Sequence, residues 1–159
     1  MIKEQKIYIH YGANHFDPDK IDVHNNPWRN KPMGCFWGTP EDSPNNWKDW
    51  CLCNKHRIRS LNRSFRFRLK EGTKVYMVDS EEKEKNLPLQ KIDTETLLKG
   101  INTYQPIARR IYDFETLKKR GYEAVELSIS DCPRLSLTMS GWDCDSIVIM
   151  NPDAIEVLD

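Results

Sequence analysis

Apolar and polar residues alternate along several short segments of the chain, which is the pattern of half-buried β-strands. The clearest example runs from Ser64 to Leu69, where Phe65, Phe67 and Leu69 alternate with two arginines. Strands are predicted over residues 6–10, 34–38, 64–69, 74–78, 122–129 and 146–150, with a last short segment over 154–158. Because segment 146–150 is almost continuously apolar, we expect it near the centre of a sheet.

The predicted helices are short. Ser43 followed by Pro44 predicts the start of a helix with Trp47, Trp50 and Cys51 on one face. Two further helices, each capped by an aspartate, are expected over residues 93–99 and 113–120. Loops are expected over residues 79–85 and 131–140, and the second of these could also be a short edge strand.

These elements predict an α+β fold, organised as one domain over residues 1–159. A chain of this length buries enough surface to fold without a metal or a disulfide. Its 24 basic and 24 acidic residues balance, which argues against a protein whose whole surface coats nucleic acid. The apolar runs are far shorter than the roughly 20 residues of a membrane span. We therefore expect a cytoplasmic protein whose five cysteines, an odd number, are reduced thiols and hold no metal.

Two candidate binding features lie at predicted strand ends. His10 ends the first strand, two residues before Gly12. It is either a half-buried structural histidine or a donor that reaches into a cleft, where Gly12 lets a ligand approach the backbone. Trp37 lies between two glycines and is followed by Thr39. Trp37 is either a core residue or a platform on which a flat ring stacks, and in the second case the Thr39 hydroxyl is a further candidate group for binding the cofactor.

The strongest candidate chemistry is acidic. Asp143 and Asp145 precede the apolar segment 146–150 and are two residues apart, so in an extended chain they face the same side. Two carboxylates this close repel each other, which raises the pKa of one and suits an acid–base or cation-stabilising site. The alternative is that Asp143 caps a turn and Asp145 pairs with an arginine.

A basic stretch follows the first predicted helix, between residues 55 and 70. Arg66 and Arg68 share one face of a predicted strand, where they form a positive stripe. Such a run is commonly a solvated surface, but it could also hold the phosphates of a dinucleotide or of a nucleic acid.

Three segments, in this order, resemble the ADP-ribosyltransferase superfamily. They are residues 8–12 (Tyr-Ile-His-Tyr-Gly), 31–40 (Lys-Pro-Met-Gly-Cys-Phe-Trp-Gly-Thr-Pro) and 142–155 (Trp-Asp-Cys-Asp-Ser-Ile-Val-Ile-Met-Asn-Pro-Asp-Ala-Ile). The resemblance implies a split, twisted antiparallel β-sheet with a few short helices that holds NAD in a central cleft.

The resemblance also implies roles for individual residues. His10 would bind an NAD ribose hydroxyl, the Gly12 backbone would hold the nicotinamide carboxamide, and Trp37 would stack on the nicotinamide ring. Asp145 would take the place of the catalytic glutamate, with Asp143 as the upstream member of an acid pair. Such a carboxylate stabilises the oxocarbenium-like state that forms when the bond between nicotinamide and ribose breaks.

The resulting hypothesis is an NAD-dependent ADP-ribosyltransferase of the toxin, phage or defence type. It would transfer ADP-ribose to a protein or nucleic-acid acceptor, with an antitoxin or immunity protein as a further expected partner. One alternative is a catalytically silent module of the same fold that binds a nucleotide or a partner. Another is a small nucleic-acid-binding protein that acts through the basic stripe over residues 57–70.

Overall fold

The computed structural model describes residues 5–102 and 110–158, which form a mixed α/β fold. Its strands are β1 (Ile7–Tyr11), β2 (Phe36–Pro40), β3 (Ser64–Leu69), β4 (Val75–Val78), β5 (Ala124–Leu127), β6 (Ser146–Ile149) and β7 (Ile155–Leu158). Its α-helices are α1 (Trp47–Asn54), α2 (Glu81–Lys85), α3 (Thr94–Asn102), α4 (Phe114–Lys119) and α5 (Leu135–Thr138). Short 3₁₀ helices occur at Pro18–Lys20, Ile58–Asn62 and Pro152–Ala154.

The strands of the described residues form one sheet in the order β4-β5-β6-β2-β1-β3-β7. Strands β4 and β5 run parallel, and the other neighbouring strands run antiparallel. The sheet is therefore mixed, which differs from the wholly antiparallel sheet that the family resemblance implied. The parallel pair arises because the chain between β4 and β5 crosses over through helices α2, α3 and α4 rather than through a tight turn.

The sheet narrows where β1 meets β2. The described pairing between these strands joins Tyr8 to Pro40 and Ile9 to Thr39, whereas the pairing between β1 and β3 extends from Ile7 to Tyr11. Past Ile9, β1 thus continues along β3 without a partner in β2. This divergence divides the sheet into two parts, β1-β3-β7 and β4-β5-β6-β2.

Apolar side chains pack on both faces of the sheet. One cluster joins Val125 and Val148 to the helices, through residues such as Phe114 and Leu117. The other joins Tyr8 and the β3 phenylalanines to Ile147 and Ile149. Gly38 is required there, because a Cβ at this position would lie 2.5 Å from the ring of Phe67. These close contacts hold the two parts of the sheet together beside the divergence.

Most predicted elements are confirmed, including the central position of β6 between β5 and β2. Three local predictions are wrong. Helix α1 is capped by Asn46, whose side chain accepts from the Asp49 N–H. Ser43 does not cap it, because its hydroxyl accepts from the Asn45 N–H, before the helix begins, and donates to Asp145. Residues 79–85 and 131–140, predicted without helix, contain α2 and α5.

Cys51 is buried in α1, as predicted. In the described residues, no helix is both long and apolar enough to cross a membrane.

Candidate functional site

A pocket of about 450 Å³ opens where β1 and β2 diverge. The end of β1, strand β2, the start of α1 and the segment after α1 contribute residues to its wall. The residues just before β6 complete the wall. His10, Gly12, Trp37, Thr39 and Asp143 all line this pocket. The structure therefore brings together five of the residues that the sequence singled out.

His10 bridges the gap between the diverging strands. Its Nδ1 lies 2.7 Å from the carbonyl oxygen of Trp37, and its ring stacks on Phe36 with 4.5 Å between the ring centres. Since a carbonyl oxygen only accepts, Nδ1 carries the proton and donates it. Burial lowers the pKa of His10, and the hydrogen bond to Trp37 opposes this only in part. The ring is therefore neutral near pH 7, and its Nε2 is left as an acceptor.

Gly12 has a φ of +109°, in the region that favours glycine, and no atom would come within 4 Å of an added Cβ. The Gly12 N–H donates to the carbonyl of Arg63 at 2.8 Å. This amide is therefore committed to a structural bond, which ties the end of β1 to the start of β3. The family role of holding a carboxamide through Gly12 would have to rest on its carbonyl.

Trp37 forms an aromatic wall of the pocket. Its ring meets Trp142 edge to face at 4.7 Å, and the Lys31 Nζ lies 4.9 Å from the ring centre of Trp37. The buried Thr39 hydroxyl donates to the Asp145 carbonyl at 2.9 Å and accepts from the Trp47 N–H at 3.2 Å. Thr39 thus fixes α1 and the acidic turn against β2, while Trp37 presents the ring.

The two aspartates of the acidic turn lie in different environments. Asp143 is exposed and lines the pocket, whereas Asp145 is 5% exposed and does not line it. The prediction that both face the same side is wrong, because the chain bends at Cys144 and Asp145 and is not extended there. The carboxylate available to a ligand is that of Asp143.

Asp145 instead joins two loops to the start of β6. Its carboxylate accepts from the Ser43 hydroxyl at 2.7 Å, from the Ser130 hydroxyl at 2.6 Å and from the Ser130 N–H at 2.9 Å. The catalytic position that the family resemblance gave to Asp145 therefore corresponds here to a buried structural carboxylate, which faces hydroxyl groups rather than the pocket.

Three cations, Lys31, Arg57 and Arg63, contribute to the wall of the pocket. Burial lowers the pKa of Lys31, and the nearby Asp143 carboxylate opposes that effect. Arg57 adopts a left-handed backbone conformation, with φ of 45°. Non-glycine residues adopt this conformation at an energetic cost and often do so at functional sites.

The arginines predicted to bind substrate lie elsewhere. Arg66 forms a two-point ion pair with Glu41, at 2.8 and 3.0 Å, and Arg68 pairs with Glu156 at 2.8 Å. Neither arginine lines the pocket. The basic stretch was a useful signal, but the members that reach the pocket are Arg57 and Arg63, which lie before β3 and not on it.

Sequence reasoning did not assign Lys31 or Trp47 to the pocket. Lys31 lies in a long irregular segment without periodicity, and only the fold brings it over Trp37. Trp47 was predicted on an apolar helix face, which is the pattern of a core residue. Within residues 5–102 and 110–158, no group of three or more His, Cys, Asp or Glu side chains is placed to hold a metal ion.

Comparison with known proteins adds no relative. No protein-family model matches the chain, and neither a curated protein nor a solved structure matches it.

Proposed function

We propose that the pocket binds NAD and that the chain is an ADP-ribosyltransferase-like enzyme in which Asp143 supplies the reacting carboxylate. The observation that carries the proposal is the meeting of His10, Trp37 and Asp143 around one pocket, at the point where the sheet divides. These residues are far apart in sequence. The family resemblance implied NAD-binding roles for His10 and Trp37, whereas it gave Asp143 only the upstream place in the acid pair and the catalytic place to Asp145.

The size and charge of the pocket suit the reacting half of a dinucleotide. A cavity of about 450 Å³ lies in the usual range for small-molecule sites. Lys31, Arg57 and Arg63 face a single acidic wall residue, Asp143, which leaves the pocket with a positive balance. Arginine side chains bind phosphate oxygens through two parallel hydrogen bonds, so Arg57 and Arg63 suit the pyrophosphate.

The remaining groups suit the nicotinamide riboside. Nε2 of the neutral His10 accepts a hydrogen bond, as a ribose hydroxyl requires. Trp37 offers a flat ring for nicotinamide, provided that the Lys31 ammonium moves away from the ring it now covers. Asp143 is the carboxylate that lies on the pocket wall with these groups.

The chemistry assigned to Asp143 is electrostatic and then basic. When the bond between the nicotinamide nitrogen and C1′ of the ribose breaks, nicotinamide leaves with the bonding electrons and C1′ becomes positively charged. The Asp143 carboxylate stabilises this charge. An acceptor nucleophile then bonds to C1′, and its proton passes to the carboxylate or to water.

The test is turnover of NAD labelled in the adenylate half, in the presence of a cell lysate. We expect label transfer or nicotinamide release by the wild-type chain, and a loss of about 100-fold or more in Asp143→Asn, which keeps the size of the side chain but removes its charge. The matched control is Asp153→Asn, because Asp153 is exposed and does not line the pocket.

Full activity in Asp143→Asn would exclude Asp143 as the reacting carboxylate. NAD binding without turnover in the wild-type chain would instead favour the catalytically silent module. The basic-stripe alternative is not favoured in its original form, because Arg66 and Arg68 are each neutralised by a carboxylate. The toxin or defence context and the antitoxin partner stay predictions.

A further inference from the structure

Helix α1 carries a pair of tryptophans that core packing does not explain. The rings of Trp47 and Trp50 stack with 5.1 Å between their centres and an angle of 12°, and both side chains are only partly buried. His56 meets both rings edge to face, at 6.0 and 5.5 Å. Neither tryptophan belongs to the two core clusters of the described residues. The pair is therefore an aromatic surface beside the pocket.

The segment that follows α1 is rich in cations. Lys55, Arg57, Arg59 and Arg63 fall between α1 and β3, and in the described part of the chain none lies within 4.0 Å of a carboxylate oxygen. The next arginines along the chain, Arg66 and Arg68, are both paired. Within residues 55–68, the cations without an ion pair are thus those that precede β3.

The backbone of this segment adopts an unusual conformation. Lys55 and Arg57 both have positive φ, of 51° and 45°, although neither is glycine. The His56 N–H closes the end of α1 by donating to the Cys51 carbonyl at 2.9 Å. The two left-handed residues turn the chain sharply on either side of His56, so that His56 meets the tryptophans while Arg57 reaches the pocket.

We propose that this surface, Trp47, Trp50 and His56 with the cations of residues 55–63, binds single-stranded nucleic acid as the acceptor of ADP-ribose. Proteins that bind single strands combine aromatic rings, on which bases stack, with a positive groove that follows the phosphates. Both features are present here and are adjacent. A protein acceptor would be attracted by the charge but would not use the stacked rings in this way.

The surface is continuous with the proposed NAD site, because Trp47, His56, Arg57 and Arg63 also line the pocket. A strand held on the tryptophans would place a neighbouring nucleotide at the mouth of the pocket, near Asp143. A base nitrogen or a hydroxyl of that nucleotide would form the new bond to C1′. Nicotinamide would leave with the electrons of the broken bond, and the acceptor proton would pass to Asp143 or to water. This step rests on the proposed function, whereas binding of the strand does not.

The test measures binding without NAD. Fluorescence anisotropy is recorded with labelled dT12 and rU12 strands and with a labelled DNA duplex of the same length, at 50 and 200 mM salt. We expect binding to single strands, weaker binding to the duplex and a steep loss of affinity at the higher salt. The ribose and deoxyribose strands show which sugar the surface prefers.

Two variants and one control locate the binding surface. We expect Trp50→Ala to lose about 10-fold or more in affinity and Trp50→Phe to retain most of it, because phenylalanine still stacks. We expect the double variant that combines Arg57→Gln and Arg63→Gln to weaken binding and to reduce the salt dependence of the affinity. The control, Arg66→Gln with Arg68→Gln, should leave affinity unchanged. A thermal melt of each variant shows that it is folded.

The inference is overturned if folded wild-type protein binds no single strand, if the duplex binds equally well, or if the control pair weakens binding as much as the Arg57 and Arg63 pair. NAD turnover by a protein that binds no strand would overturn the nucleic-acid acceptor and leave the proposed function intact. Strand binding that depends on Trp50, without any NAD turnover, would support the surface and count against the proposed function.

Discussion

At the scale of single residues, Asp145 shows how a carboxylate can stabilise the fold around a site without taking part in its chemistry. It is 5% exposed and accepts three hydrogen bonds, from Ser43 and from two groups of Ser130. A hydrogen bond to a charged acceptor contributes up to about 1.5–3 kcal/mol, and less where water replaces the acceptor, as it can at the exposed Ser130. Asp145 therefore holds together the two loops that flank the acidic turn.

We predict that Asp145→Ala lowers the free energy of unfolding by about 1–3 kcal/mol, because the Ser130 N–H and the hydroxyls of Ser43 and Ser130 lose a charged acceptor. Urea denaturation measures the change. Asp153→Ala, which alters an exposed aspartate, should stay within about 0.5 kcal/mol of the wild type. An Asp145→Ala protein as stable as the wild type would show that Asp145 does not hold these loops.

His10 predicts a pH dependence of stability. Burial lowers its pKa in the folded chain below the ordinary value of 6.5, so the unfolded chain binds the proton more readily. The stabilisation that His10 provides is therefore present above pH 6.5 and is lost as the pH falls below it. Between pH 7.5 and 5.5, urea denaturation should show a larger loss of stability in the wild type than in His10→Gln. An equal loss in both proteins would contradict a half-buried, neutral His10. His15→Gln serves as the exposed control.

At the scale of elements, the end of α1 retains a strained residue where glycine is usual. Lys55 closes the helix in the left-handed conformation, with its N–H directed at the carbonyls of Cys51 and Leu52. In this left-handed position at the end of a helix glycine is the most common residue, because the Cβ of any other residue lies too close to the following carbonyl oxygen. The strain is tolerated next to the proposed acceptor surface, to which Lys55 contributes a positive charge.

We predict that Lys55→Gly raises the free energy of unfolding by about 0.5–1 kcal/mol, since the relief of strain exceeds the added flexibility of the unfolded chain. The expected rise in melting temperature is roughly 1–4 °C, measured by circular dichroism. Asn86→Gly is the matched control, because Asn86 ends α2 with a φ of −85° and has no strain to relieve. A Lys55→Gly protein that is less stable than the wild type would contradict the prediction.

The elements that the sequence predicts well are those with strong local patterns. Strand β3 follows from strict alternation, and α4 from the Asp113 cap, whose carboxylate accepts from the Thr116 N–H. Helix α2 was missed because it is built almost entirely of charged residues and carries no apolar period. The start of α1 was misplaced because Ser43 and Asn46 are both good caps. In the folded chain the Ser43 oxygen accepts from the Asn45 N–H, and the Asn46 side chain accepts from the Asp49 N–H of the helix.

The site was predictable where it depends on strand ends and not where it depends on a bend. His10 lies near the end of β1 and Trp37 lies in β2, so their positions follow from the strands. The choice between Asp143 and Asp145 depends on the turn at Cys144, which no spacing rule specifies. Lys31 reaches Trp37 from an irregular segment, and its place could not be inferred before the chain was folded.

At the scale of the whole molecule, the pocket lies across the division of the sheet. Its walls include Tyr11 from the β1-β3-β7 part and Ser146 from the β4-β5-β6-β2 part. The short pairing between β1 and β2 joins the two parts. A ligand that contacts both walls adds an interaction that exists only when both parts are folded and in place. Binding should therefore stabilise the whole sheet and not only the loops around the site.

We predict that NAD, at about 100 times its dissociation constant, raises the free energy of unfolding by about 2.7 kcal/mol. For a domain of this size the melting temperature should rise by roughly 5–10 °C. Trp37→Ala should reduce the shift, because the ring on which nicotinamide stacks is gone, and adenosine, which lacks both pyrophosphate and nicotinamide, should produce little shift in the wild type. An equal shift in Trp37→Ala would place NAD outside the pocket. An equal shift with adenosine would mean that the phosphates and nicotinamide make no net contribution, so that Lys31, Arg57 and Arg63 serve another ligand.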